Sequence, residues 1–175
     1  MSEYGVVVEQ GTVRFERVLP GPIERVWEYL TDSKLRGTWF ASGPMELRVG
    51  GRVHLRFQHS NLSPHAEKTP EKYKAMDTPQ GITLTGTITV CVPPRRLAFT
   101  WDESEVILDL APAGGDVRLV LTHRRLPSRA EMINVSGGWH THLDVLEERL
   151  RGQVPKPFWP RIEPLEREYE ARIPV

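Results

Sequence analysis

The sequence predicts an α+β domain in which a curved antiparallel sheet is wrapped around one long C-terminal helix. Three observations predict it. Apolar and polar residues alternate in run after run, short turn signals separate most of the runs, and one amphipathic stretch near the C-terminus is long enough to cross a sheet. At 175 residues the chain is long enough to bury a sizeable core, as one domain with a tail.

The strands follow in order. Val13, Phe15 and Leu19 share one parity, interrupted by Arg17. Val53, Leu55 and Phe57 alternate with Arg52, His54, Arg56 and Gln58. The clearest run sets Ile82, Leu84, Ile88 and Val90 against Thr83, Thr85, Thr87 and Thr89. Leu97, Phe99 and Trp101 come next, then Val106, Leu108 and Leu110, then Val117, Leu119 and Leu121. Gly50-Gly51, Pro93-Pro94 and Ala113-Gly114-Gly115-Asp116 supply turn chemistry. Strands joined by such short turns pair antiparallel, and the apolar face each presents needs a cover.

Two helices are placed to provide it. The first starts at Pro22 and carries Ile23, Val26, Trp27 and Leu30 at helical spacing. The second begins at Arg129 or Gly138 and runs to Leu150, with Trp139, Leu143, Leu146 and Leu150 along one narrow arc. Gly152 stands where a helix of that length would stop.

Two segments lie outside this plan. Residues 59–80 make a long connection punctuated by Pro64, Pro70 and Pro79, longer than ordinary loops and of the kind that covers sites. Within it, Pro70 to Met76 has room for a helical turn or two that pairs Tyr73 with Met76. We therefore expect a domain over 1–152 and, over 153–175, a Pro-rich linker with a short amphipathic helix. The stripe of Ile162, Leu165, Tyr169 and Ile173 on that helix docks either on the domain or on a second subunit, which would make a homodimer. Glu163/Arg167 and Glu168/Arg172 are favourable i,i+4 pairs there.

Composition narrows the function classes. Lys plus Arg and Asp plus Glu number 23 each, and this balance gives no electrostatic reason to expect nucleic acid or an anionic membrane as partner. The N-terminal residues lack a basic stretch followed by an apolar run, and no later segment is long enough to span a bilayer. A single cysteine, Cys91, excludes an internal disulfide framework, so the expected compartment is the cytoplasm.

At this point the residues resemble a known group. VWEYLTD, TWF at 38–40, Gly50-Gly51 before a strand, PPRRLAFTW at 93–101 and GGWHTHLDVLEERLRG at 137–152 are similar in order and spacing to the SRPBCC, or START-like, superfamily. Within it they resemble the domain shared with activators of the 90-kDa heat-shock-protein ATPase. PFW at 157–159, followed by LEREYEAR, is similar to bacterial members. The resemblance implies a helix-grip fold with a cavity between the last long helix and the sheet. The superfamily includes lipid carriers, receptors, cyclases and co-chaperone domains, so fold alone does not assign an activity. Because Val13 already reads as the first strand, the extra N-terminal domain of eukaryotic co-chaperones is not expected here.

Histidine is where chemistry would lie. His59 continues the inward parity of Phe57, and His123 that of Leu121. His142 and His140 flank the Trp139 seam on opposite sides. Neutral imidazoles bordering a cavity could orient a carboxylate or a hydroxyl. His140-Thr141-His142 lacks the spacing of helical metal ligands, so no metal and no cofactor are expected. No G-x-S-x-G elbow is present, Gly114-Gly115 precedes a strand and so forms no phosphate cradle, and Asp102, Glu103 and Glu105 read as a solvated turn; no catalytic residue is assigned.

The leading expectation is thus a non-catalytic module that binds a small apolar or amphipathic molecule, touched by Trp39, Phe57, Trp101, Trp139 and His142 with His59 as a polar contact. The alternative is a co-chaperone-like interaction module with a chaperone partner. The third is a cyclase or hydrolase that uses pocket histidines as general base.

Overall fold

The computed structural model describes residues 2–175. Seven strands form one sheet: β1 (Val6–Glu9), β2 (Thr12–Pro20), β3 (Arg52–Phe57), β4 (Ile82–Val92), β5 (Arg96–Trp101), β6 (Ser104–Ala113) and β7 (Asp116–Arg124). Their order is β1-β2-β7-β6-β5-β4-β3, and every pairing is antiparallel. The helices are α1 (Ile23–Thr31), α2 (Ser33–Arg36), α3 (Arg129–Leu150) and α4 (Trp159–Arg172). The sheet curves around α3, the helix-grip arrangement expected from the alternating runs.

Local chemistry sets the boundaries. Ser128 accepts a hydrogen bond from the Glu131 N–H and so caps α3, and Gly152 ends it with φ +72°. Thus α3 starts at the earlier of the two expected positions. In the β6–β7 hairpin Gly114 takes φ +64°, a left-handed conformation that suits glycine. The register of β4 against β5 shifts between Ile88 and Val90. Nearby, a Cβ on Gly86 would collide with the Thr100 carbonyl, so only glycine lets the two strands approach there.

The core lies between α3 and the concave face of the sheet. Val13, Phe15 and Leu19 of β2, Val53 and Leu55 of β3, and Leu119 and Leu121 of β7 are all at most 1% exposed, against Leu143 and Leu146 of α3 at 0%. Arg17 occupies the same face, and its charge is met from the helix: Nη1 lies 2.8 Å from Asp144 Oδ1, and Nη2 donates to the Glu3 carbonyl at 3.1 Å.

One feature differs from the expectation. The first strand is β1, ahead of Val13; it lies at the sheet edge, and its Val6-Val7-Val8 run carries no apolar–polar alternation. The tail stripe takes the first of its two expected placements and docks on the domain: α4 packs along α3, and Ile162, Tyr169 and Ile173 are buried in the common core with Leu165 packed against it. The stripe is filled by its own chain. Of the two expected ion pairs on α4, Glu168–Arg172 forms, at 3.4 Å. Among the described residues, no helix is long and apolar enough to cross a membrane.

Candidate functional site

A cavity of about 370 Å³ lies between the sheet, α3, residues 59–80 and the start of α4. That volume is in the range of small-molecule sites. Phe57 of β3, Ile82 and Leu84 of β4, and Trp101 at the end of β5 form the sheet wall. Trp139 and His142 face them from α3, while Phe158, Trp159 and Ile162 close the side at α4. Tyr73, Met76 and Thr83, together with Glu131, stand at the rim, the last three exposed.

The rings touch one another around the cavity. Phe40 stacks on Trp139 at 4.9 Å, Trp101 lies 5.8 Å from Trp139, and His142 lies 4.8 Å from Phe158. His59 sits 4.8 Å from Phe158, 4.9 Å from Trp159 and 5.5 Å from His142. Of the residues singled out in the sequence, Phe57, His59, Trp101, Trp139 and His142 lie on this lining. Trp39 does not. It is 1% exposed, its Nε1–H donates to the Tyr29 carbonyl at 2.8 Å, and its ring lies behind Phe40, 5.3 Å away. Phe40 is the residue of that pair on the lining. Phe158, Trp159 and Tyr73 also line the cavity and were not assigned to it from the sequence, because their contacts with the domain join positions far apart in the chain; PFW at 157–159 is the one local signal for the first two.

Hydrogen bonding fixes the protons on two histidines. Indole nitrogen only donates, so Trp139 Nε1–H, 3.0 Å from His123 Nδ1, requires that nitrogen to be bare. His123 Nε2 then carries the proton toward Ser104 Oγ at 2.7 Å, and Ser104 donates to the Trp101 carbonyl at 2.6 Å. This relay ties together the two tryptophans of the cavity wall. His142 Nδ1 lies 2.8 Å from the Trp39 carbonyl, which only accepts, so Nδ1 bears the proton and Nε2 keeps its lone pair. No group among the described residues bonds that Nε2. His59 Nδ1 is enclosed without a partner.

Burial dominates the titration of these rings. Desolvation pushes His59 down to about 4, with Asp77 opposing, and His123 down to about 4. It pushes His142 to about 3, where the neighbouring His59 acts in the same direction. All are neutral at pH 7. Such imidazoles are good hydrogen-bond partners and weak general bases, because the proton they would take is poorly held. The lining contains no cysteine, lysine or serine, and the Tyr73 hydroxyl is engaged by Glu166.

One cluster has the proximity of metal ligands: atoms of Glu3, His140 and Asp144 lie within 4.8 Å of one another. Arg17 already supplies the cation there, bonded both to Asp144 and to the Glu3 carbonyl. His140 Nδ1 is bonded to the Tyr169 hydroxyl at 2.8 Å. The donor set fits an internal ion pair better than a metal.

The long connection is strapped to the tail beside the cavity. Glu67 accepts from the Trp159 and Phe158 N–H groups at 2.9 and 3.3 Å, placing a carboxylate on the N-terminus of α4. Asp77 accepts from Trp159 Nε1 at 3.1 Å and from the hydroxyls of Ser60 and Thr69. Ser63 donates to the Pro155 carbonyl at 2.7 Å, and Lys72 pairs with Glu166 at 3.2 Å. The helical turns expected near Tyr73 are a 3-10 segment over Glu71–Met76.

Comparison with known proteins agrees with this architecture. A family model described as Activator of Hsp90 ATPase homolog 1-like protein matches residues 20–151. The solution NMR structure of the protein encoded by gene BPP1335 of Bordetella parapertussis is 43% identical, with a TM-score of 0.82 over 99% of this chain and 92% of that one. CalU16 from Micromonospora echinospora is 24% identical, with a TM-score of 0.63 over 92% and 85% of the two chains. EF2215 from Enterococcus faecalis, a conserved protein of unknown function, is 20% identical, with a TM-score of 0.64 over 98% and 91%. These last two show likeness of fold alone. None of the curated proteins matches the chain.

Proposed function

The chain belongs to the family of Activator of Hsp90 ATPase homolog 1-like proteins, and from that premise we propose that it binds a small, largely apolar molecule in its internal cavity without transforming it. The observation that carries this reading is a cavity of about 370 Å³ walled by aromatic rings whose polar groups include two neutral imidazoles. Apolar walls supply affinity, and a few fixed polar groups supply orientation. In this reading Phe57, Trp101 and Trp139 hold the ligand body, while His142 and His59 meet its polar end. Phe40 takes the place expected of Trp39.

A thermal-shift screen of aliphatic, aromatic and isoprenoid compounds tests it. A ligand at 100 times its Kd adds roughly 2.7 kcal/mol, which raises Tm by about 5–11 °C for a chain of this size. Shifts confined to about one degree across the whole panel would remove the reading.

A second reading rests on the family description, which names activation of a chaperone ATPase. It would work through the outer surface and leave the cavity without a role. A rise in the ATPase rate of a 90-kDa chaperone on adding this protein, retained in a cavity-filling Leu84→Trp variant, would favour it.

A further inference from the structure

The polar end of the cavity has a direction. His142 gives its Nδ1–H to the Trp39 carbonyl, so what it offers the cavity is the lone pair of Nε2, an acceptor. His59 stands beside it, ring centroids 5.5 Å apart, with Nδ1 enclosed and unpartnered. An enclosed N–H with no acceptor is worse than an enclosed lone pair, so the favoured tautomer of His59 leaves Nδ1 bare and places its proton on Nε2. One imidazole therefore accepts and its neighbour donates.

We infer that the cavity takes an apolar ligand by a hydroxyl or phenol group bridging His59 and His142, and that it discriminates against carboxylates. The inference rests on the binding role proposed above. A hydroxyl oxygen donates once and accepts as well, so one atom serves both rings. A carboxylate only accepts: it would face the lone pair of His142 Nε2 with nothing to give. Protonating the ring to meet the anion would have to overcome the burial that holds His142 at about 3. No lysine or arginine lines the cavity to neutralise an anion, and the Glu131 carboxylate stands at the rim with the same sign. Lys72, which bonds the lining residue Asn134, is itself paired with Glu166. The sequence alone allowed a carboxylate or a hydroxyl; the tautomer favours the second.

Three matched probes test this at neutral pH: para-butylphenol, butylbenzene and para-butylbenzoate, followed by NMR titration of the full chain. The bridge adds two hydrogen bonds, each worth about 0.5–1.5 kcal/mol, so the phenol should bind roughly 5- to 150-fold tighter than the hydrocarbon. The benzoate should bind more weakly than the hydrocarbon. Equal affinity for phenol and hydrocarbon, or a benzoate that matches the phenol, would overturn the inference and leave the binding role standing. Failure of all three to bind would remove both.

In His142→Phe the advantage of the phenol over the hydrocarbon should shrink, since only the bond from His59 remains, while the hydrocarbon still binds; an undiminished advantage would overturn the inference. Independently of any variant, imidazole nitrogen shifts of the wild type should show His142 Nε2 unprotonated and moved by the phenol but not by the hydrocarbon. A protonated Nε2 would overturn the assignment.

Discussion

The indole of Trp139 donates to Nδ1 of His123 at 3.0 Å, a bond between α3 and β7 that lies at 0% exposure on the histidine side. It fixes a wall residue of the cavity from behind. His123 passes the constraint through Ser104 to the Trp101 carbonyl. Two tryptophans that face the same space are thus held in place by one buried, fully paired ring.

Trp139→Phe keeps an aromatic ring but leaves His123 Nδ1 without a donor. We expect a loss of roughly 1–3 kcal/mol, the penalty for an unsatisfied buried polar group. Urea unfolding with an unchanged m-value would measure it. A loss below about 0.5 kcal/mol would show that the bond is not contributing.

Stability should fall as pH drops below neutral. His59, His123 and His140 are held at about 4 and His142 at about 3, with burial as the largest cause in each, against 6.5 for an unperturbed ring. The unfolded chain therefore takes up protons below about pH 6.5 that the folded chain refuses. Stability present above that pH is lost progressively toward pH 4, at about 1.4 kcal/mol per pH unit for each ring that stays neutral. Denaturant midpoints at pH 7 and pH 5.5 test this. A flat profile over that interval would contradict it.

Removing Arg17 should be costly, and removing its partner as well should repair part of the damage. The Arg17 side chain is 3% exposed and Asp144 27% exposed. Burial raises the Asp144 carboxyl, and Arg17 opposes that rise. Arg17→Met leaves the carboxylate half-buried and alone, at about 3 kcal/mol, the lower end for a broken buried pair because Asp144 is partly solvated. Arg17→Met with Asp144→Leu should recover at least half of it. Equal stability of the single and double variants would argue that the pair is not coupled.

Glu67→Ala should loosen α4 at its first turn. The carboxylate is the acceptor for two N–H groups that the helix itself cannot satisfy, a role worth about 1 kcal/mol. Glu67→Gln keeps an acceptor oxygen and should lose less. Amide exchange at Phe158 and Trp159 should accelerate in the alanine variant while that of β6 and β7 does not. Uniform acceleration across the chain would mean global destabilisation instead.

The fold was legible because its determinants are local. The Thr-alternating run of β4, the Trp139–Leu150 seam and the glycine turn at 114–115 each appear within a short window, and each lies where the pattern predicts. What stayed hidden has two causes. β1 is built on three successive valines at a sheet edge, with no apolar–polar alternation to mark it. Phe158 and Trp159 reach the cavity through contacts with residues 59–77, about ninety positions away, and no periodicity reports a contact of that span. Trp39 and Phe40 show a third limit: outside regular structure, period gives no rule for which of two adjacent rings faces inward.

The strap of Ser63, Glu67, Lys72 and Asp77 onto α4 and the segment before it bears on time as well as on shape. If the cavity takes a guest as proposed, its passage beside this seam would require several charge-assisted bonds to part together. Residence time would then follow the seam, while equilibrium affinity would follow the aromatic walls. Weakening Asp77 against Trp159 would speed arrival and departure alike, so capture and release can be adjusted without redesigning the compartment itself.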